Sequence, residues 1–234
     1  MRLVLASASP RRAELLRAAG YTFDVIRVDL DEGLRDGEAA ALYVRRLAAE
    51  KSAAASAMVI RGRAAAAHGV GDDPDGYDAG GETSVSAAAS HADVVVLGAD
   101  TSVVVDDEIL GKPRDDEDAE RMLRLVSGRA HAVMTGISLR RGAYELGRVV
   151  TTTVRFAALS REDISWYLAT AEGRDKAGAY AIQGFASRFV TSIDGSYSNV
   201  VGLPIAAVHE LLTDIASGSA SDYSERASIP RKSL

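Results

Sequence analysis

The sequence predicts an α/β fold, and three observations carry that expectation. Short apolar runs of strand length alternate with longer stretches that open on Ser, Pro or Asp and close on Gly, the pattern of strands alternating with helices. Hydrophobic residues make up 47% of 234 residues, enough for a sizeable core in one large domain or two small ones. No internal repeat interrupts the alternation.

Residues 2–6 are apolar and short, a buried strand. Ser7-Ala8-Ser9 follows as a loop, with Ser9 as N-cap, Pro10 at the first helical position and Gly20 as the stop. Leu15, Leu16 and Ala19 form the inward face of that helix. Residues 21–28 alternate as a second strand. Asp29, Asp31 and Glu32 then place three carboxylates in a four-residue loop. Residues 38–58 are alanine-rich without glycine or proline and predict a long helix. Leu42, Val44, Leu47 and Ala48 lie on or near its apolar side, with Lys51 one turn beyond Leu47. Over residues 62–91 the composition turns to Gly, Ala, Asp and Ser, which predicts an exposed, mobile insertion.

Residues 93–97 read as an apolar strand ending at Gly98-Ala99-Asp100-Thr101. Residues 102–105 continue as strand, and Asp106-Asp107 turns it back through Ile109. Residues 115–126 form a helix with acids at its start and Gly128 after its end. Residues 130–139 and 144–156 pair around Arg141-Gly142. Ser160 opens a helix with Asp163 as its capping-box partner. Residues 179–193 are expected to be rich in strand, residues 204–215 form the last helix, and residues 217–234 are a serine-rich tail. The folded domain is thus expected over residues 1–216.

The chain has 27 Lys and Arg against 33 Asp and Glu, a net charge of −6. Asp72, Asp73, Asp75, Asp78 and Glu82 fall in a stretch without a basic residue, so the remainder is close to neutral. That argues against a broad footprint for duplex nucleic acid. Zero cysteines exclude disulfides, thiolate metal sites and a cysteine nucleophile. No apolar run approaches the ~18 residues of a membrane helix, and the apolar start is too short for a signal peptide. The expected compartment is the cytoplasm.

Arg11 and Arg12 in a first helical turn oppose its dipole, a penalty that a nearby anion removes. A strand, a serine-containing loop and a helix N-terminus together make a phosphate cradle. The plainer alternative is two solvated arginines. Asp100, after an apolar run, stands where α/β sheets bind ligands, or it simply caps local backbone. Glu32 could share a hard cation with Asp100, as Mg²⁺ is held by one or two carboxylates plus substrate phosphates, or belong to a solvated acidic loop. Lys51 on an apolar helix side and Lys112 between Gly111 and Pro113 need a partner or ligand unless they snorkel to water. The chain has neither a G-x-x-x-x-G-K-[ST] loop nor a G-x-G-x-x-G motif after a strand, and its four histidines have no metal-ligand spacing.

Taken together, Leu5-Ala6-Ser7-Ala8-Ser9-Pro10-Arg11-Arg12, Leu97-Gly98-Ala99-Asp100-Thr101, Leu110-Gly111-Lys112-Pro113, the run from Asp175-Lys176 through Ala181-Ile182-Gln183-Gly184, and Val201-Gly202-Leu203-Pro204 resemble the Maf (septum formation inhibitor) nucleotide pyrophosphatases. The resemblance spans about residues 3–212 and leaves out the insertion and the tail. It implies the Maf/inosine-triphosphatase-like fold, a central mixed β-sheet flanked by helices with an active-site cleft. It implies cleavage of nucleoside triphosphates between the α and β phosphates, giving monophosphate and pyrophosphate, with a divalent cation, Mg²⁺ or Mn²⁺. Arg11-Arg12, Thr101 and Ala181-Ile182-Gln183 are similar to the branch acting on dTTP and UTP. The branch preferring 7-methyl-GTP has tryptophan for the first arginine and Ser-Asp-Gln where this chain has Ala99-Asp100-Thr101. The insertion departs from the family pattern, as does Ala181 where glycine is commoner.

In that reading Asp100 is the proton acceptor and, with Glu32, the metal ligand. Ser7, Arg11, Arg12, Lys51 and Lys112 hold the triphosphate, while Gln183 and Thr101 read the base edge. The implied partner is the nucleotide, without stable nucleic acid or membrane, and a homodimer is left open. The competing class is a non-enzymatic regulator of septum formation that binds nucleotide or nucleic acid.

Overall fold

The computed structural model describes residues 1–68 and 94–217. The element order is β1 (Arg2–Ala6), α1 (Pro10–Ala18), β2 (Phe23–Ile26), α2 (Ala40–His68), β3 (Val94–Val105), β4 (Glu108–Leu110), α3 (Asp116–Val126), β5 (Ala130–Arg141), β6 (Tyr144–Phe156), α4 (Arg161–Ala169), β7 (Val190–Asp194), α5 (Tyr197–Val201) and α6 (Ile205–Ser217). Two 3₁₀ turns, Ala177–Ala179 and Phe185–Phe189, lie between α4 and β7. The strands form one mixed sheet in the order β2-β1-β3-β5-β6-β7, with β4 added to β3. β1 is parallel to β2 and β3, and the pairs β3–β5, β5–β6 and β6–β7 are antiparallel.

Central strands here are apolar on both faces because helices cover both. Leu3 and Leu5 of β1 pack with Leu16 and Leu97 in one core, while Val4 and Ala6 pack with Ala55 and Val96 in another. Alternate residues of a strand point to opposite faces, so the two cores lie on opposite sides of the sheet. A third core gathers Val103, Leu123, Phe156 and Tyr167 around α3 and α4. Burying each such large side chain is worth about 1.5–3 kcal/mol.

The site arises from a gap in this sheet. β1 pairs with β3 from Val94 to Gly98, and β4 takes the same edge only from Val103 to Val105. Residues 99–102 therefore have no described strand beside them on that edge. The other edge continues against β5 from Val96 to Val104, with Asp100 opposite Gly136. This corrects the expectation that Asp100 ends a strand. The antiparallel pairing with β5 carries β3 straight through Asp100, and it is β1 that stops, at Ala6, to turn into α1.

Helix α2 lies flush on the sheet beside this gap. A Cβ on Gly98 would come within 2.2 Å of the Ala48 carbonyl oxygen, and one on Gly136 within 2.2 Å of the Val44 carbonyl oxygen. The two glycines on adjacent strands are what let the helix backbone approach so closely. Val44, Leu47, Ala48, Lys51 and Ala55 form its buried stripe.

Several local expectations are corrected. Leu42 is 64% exposed, because it lies nearly opposite that stripe, and Ala19 is exposed beyond the end of α1. Helix α2 runs to His68, since its alanine-rich character continues past Gly62, so the start expected for the insertion falls inside a helix. The rest of the expected insertion and the tail beyond Ser217 lie outside the described residues. Residues 179–193 form little strand. Left-handed backbone at Gly178 and Ala179 breaks extension, and a 3₁₀ turn fills the segment before β7. Ser9 occupies the N-cap position of α1, yet its side chain makes no cap bond. Other punctuation matches the sequence: the Asp115 carboxylate accepts from the Asp118 amide at the start of α3, Ser160 and Asp163 form a capping box, and Asp106 and Asp107 take left-handed φ in the β3–β4 turn.

Candidate active site

Ser7, Arg11, Arg12, Glu32, Lys51, Asp100, Thr101, Lys112 and Gln183 all line one cleft of about 390 Å³ at the gap in the sheet. Five cations, Arg11, Arg12, Lys51, Lys112 and Lys176, face it against three carboxylates, Glu32, Asp100 and Asp175. A surplus of positive charge in a concave site suits a polyanion.

The floor is built from Lys51. Its ammonium donates to Asp100 Oδ1 at 2.7 Å and lies 2.6 Å from Glu32 Oε1. Lys51 and Asp100 are each only 8% exposed. Burial opposes ionisation of Glu32, but the hydrogen bond and charge of Lys51, with Lys112 and Arg12, hold its carboxyl below the usual glutamate value. Asp100 Oδ2 has no protein partner among the described residues.

Glu32 reaches Lys51 because α2 grips its loop. Tyr43 Oη donates to the Glu32 carbonyl oxygen at 2.9 Å, and Arg46 Nη2 donates to the Gly33 carbonyl oxygen at 3.0 Å. Burial, then the charges of Asp100 and Glu32, push the Tyr43 hydroxyl up to about 12, so it remains a donor. Arg46 also pairs with Glu38, which closes the loop onto the helix.

Arg12 forms the wall. It is nearly buried, with Nε donating to the Gly202 carbonyl oxygen at 2.8 Å, Nη1 to Ser7 Oγ at 3.2 Å and Nη2 to Thr101 Oγ1 at 3.1 Å. Burial lowers its pKa from arginine's usual value and Arg11 adds to this, with Asp100 and Glu32 acting against it. Ser7 Oγ also accepts from the Ser9 amide at 3.1 Å. The first turn of α1, with Pro10 leading and no side-chain cap, thus opens on the cleft, the arrangement that favours anions. Thr101 Oγ1 contacts Thr135 Oγ1 at 3.0 Å and the Gly202 carbonyl oxygen at 3.3 Å as well as Arg12. Its hydroxyl is occupied by protein, so Thr101 holds Arg12. The expectation that it reads a base edge finds no free hydroxyl here. Gln183, in contrast, is exposed at the rim, and its amide has no partner among the described residues.

Sequence reasoning missed Tyr43, Asp175 and Lys176 as lining residues. Asp175 pairs with Lys176 and lies 3.7 Å from Arg11. Both belong to the 175–184 run already singled out, which was the available signal. Tyr43 had none, since its role depends on a loop folding back over its helix.

A hard cation fits this donor set. Glu32 and Asp100 each give one oxygen to the Lys51 ammonium, and the second oxygen of each carboxylate is a hard donor of the kind that holds a divalent ion. No group of three or more His, Cys, Asp or Glu is assembled among the described residues. Two carboxylates leave the other coordination positions to phosphate and water, which is how Mg²⁺ is usually held.

The sequence that builds this cleft is similar to known proteins. A family model described as Maf-like protein matches residues 2–215, and the chain belongs to that family. Among curated relatives, the dTTP/UTP pyrophosphatase of Shewanella oneidensis is 45% identical over 92% of this chain and 98% of its own length. That of Anaeromyxobacter sp. (strain Fw109-5) is 47% identical, covering 90% and 88%, and that of Symbiobacterium thermophilum is 44% identical, covering 90% and 92%.

Proposed function

We propose that the chain is a nucleoside triphosphate pyrophosphatase that hydrolyses the α–β phosphoanhydride of dTTP and UTP. The observation that carries this is the buried Lys51, which holds Asp100 and Glu32 together at the floor of a cleft otherwise rich in cations. The relatives' names supply the substrate. Asp100, fixed through Oδ1, takes a proton through Oδ2 from a water whose oxygen bonds to the α-phosphorus. The bond from that phosphorus to the bridging oxygen breaks, and pyrophosphate leaves. Arg11, Arg12, Lys112 and the open first turn of α1 hold the phosphates and stabilise charge on the leaving group. Ser7 and Thr101 orient Arg12. Gln183 offers an amide donor and acceptor to the pyrimidine edge. When bound by Asp100 and Glu32, a divalent cation, Mg²⁺ or Mn²⁺, supplies charge neutralisation at the phosphate oxygens.

A non-enzymatic regulator has no use for a carboxylate pair held on a buried lysine, and the relatives' names give it no support. The nucleotide is the expected partner and the cytoplasm the expected compartment. No helix among the described residues is long and apolar enough to cross a membrane. The test is a nucleotide panel with separate detection of pyrophosphate and orthophosphate, run with each metal. Pyrophosphate and monophosphate from dTTP and UTP are expected. Orthophosphate with a nucleoside diphosphate refutes α–β cleavage.

A further inference from the structure

Two residues that do not line the cleft hold the turn that presents Gln183. Tyr167, near the end of α4, is 1% exposed, and Glu172 follows three residues after that helix. Tyr167 Oη donates to Glu172 Oε2 at 2.9 Å and accepts from the Ala181 amide at 3.1 Å. Glu172 Oε1 accepts from the Phe185 amide at 2.9 Å, and Oε2 accepts from the Ala186 amide at 3.3 Å. Between these anchors the Gly184 amide closes on the Ala181 carbonyl oxygen at 3.1 Å.

The turn 181–184 is therefore tied on both flanks to one Tyr–Glu pair. The fit is tight: a Cβ on Gly184 would lie 1.8 Å from Glu172 Oε1. Only glycine lets the carboxylate reach both amides beyond the turn. Burial, with the neighbouring Glu172 carboxylate, holds the Tyr167 hydroxyl above tyrosine's usual value despite the Ala181 amide, so it stays a donor toward Glu172. Ala181, Ile182 and Gln183 line the cleft, and neither Tyr167 nor Glu172 does.

We propose that Tyr167 and Glu172 are positioning residues for base selectivity, fixing the backbone from which the Gln183 amide meets the nucleobase. The inference rests on the proposed function, in which Gln183 reads the pyrimidine. The phosphate and carboxylate machinery sits on α1 and the loop before it, on α2 and the loop before it, on β3, and at Lys112 after β4, so disturbing this turn affects recognition of the base and spares the chemical step.

The test compares Tyr167→Phe, Glu172→Gln, the double variant and Gln183→Ala, each with dTTP, UTP, CTP and dATP. Tyr167→Phe leaves the Ala181 amide and Glu172 Oε2 short of a partner. Glu172→Gln puts an amide NH₂ where an oxygen must accept. Each single variant is expected to lower the kcat/KM preference for dTTP over dATP about 3–10-fold, the worth of one or two hydrogen bonds. The loss falls in KM, with kcat on dTTP retained. The double variant loses no more than the larger single loss, because both act through one relay. Melting curves control for folding, and Glu172→Gln carries the test should Tyr167→Phe fail to fold. If Gln183→Ala changes the preference while Tyr167→Phe and Glu172→Gln do not, or lower kcat equally on all four nucleotides, the positioning role is wrong and the Gln183 reading stands. If Gln183→Ala leaves the preference unchanged, both are overturned.

Discussion

Replacing Asp100 with Asn tests the floor of the cleft with little disturbance to packing, since the side chains are nearly isosteric. Breaking a buried ion pair ordinarily costs about 3–5 kcal/mol, because one charge is left alone. That penalty does not apply here. Lys51 keeps Glu32 at 2.6 Å, and removing Asp100's charge leaves one carboxylate for one ammonium. The stability change reduces to exchanging a charge-assisted hydrogen bond for a neutral one, about 1 kcal/mol. Activity responds on another scale. Asparagine cannot accept a proton at neutral pH, and loss of a general base is worth roughly 10²–10⁴-fold, which is about 3–5 kcal/mol in the barrier. Nucleotide affinity should fall far less, because Arg11, Arg12 and Lys112 still line the cleft. The assay combines initial rates of pyrophosphate release, nucleotide affinity by calorimetry and melting curves. Glu210→Gln is the control, since among the described residues Glu210 pairs only with Arg148 at the surface and such a pair is worth little. An Asp100→Asn protein that keeps more than about a tenth of the rate refutes the assignment, and Glu32 becomes the carboxylate to test.

Lys51→Met should destabilise the fold by about 3–5 kcal/mol at pH 7, since Asp100 is left buried opposite Glu32 without a cation. Urea titration checks this, and a loss below about 1 kcal/mol would show that the pair is solvated. Gly98→Ala should cost roughly 1–3 kcal/mol and reduce turnover, because its Cβ drives α2, and Lys51 with it, off β3. A variant with unchanged melting temperature and rate would contradict the close-contact argument. His131 is 3% exposed, and burial lowers its pKa from 6.5 to about 4. The unfolded chain then takes up this proton first as pH falls. The residue's contribution is full above pH 6.5 and is lost progressively toward pH 4, by up to about 3 kcal/mol. Urea midpoints across that range should flatten in His131→Gln, and an unaltered slope would assign the pH dependence to other groups.

How far the sequence could be read follows the range of the forces involved. Asp115 with Asp118, and Ser160 with Asp163, are contacts within one helical turn, so their side chains announce the helix starts directly. The strand pair around Arg141-Gly142 was legible because glycine with φ of 61° sits at its turn. Leu42 faces solvent, against the sequence expectation, because helix propensity says nothing about which face a sheet will cover. Over residues 179–193 hydrophobicity suggests a strand, while the backbone at Gly178 and Ala179 and the bonds to Tyr167 and Glu172 decide otherwise.

By itself the sequence determined the α/β class and the punctuation of the helices, because these depend on periodicity, caps and side-chain identity within a few residues. The tertiary structure alone decided that β1 ends where β3 continues, which opens the cleft at Asp100. It alone decided that Gly98 and Gly136 let α2 settle until Lys51 meets both Asp100 and Glu32, and that Thr101 supports Arg12 across 89 residues of chain. Each of these is a contact between segments remote in sequence, set by strand register and by how closely a helix can approach a sheet.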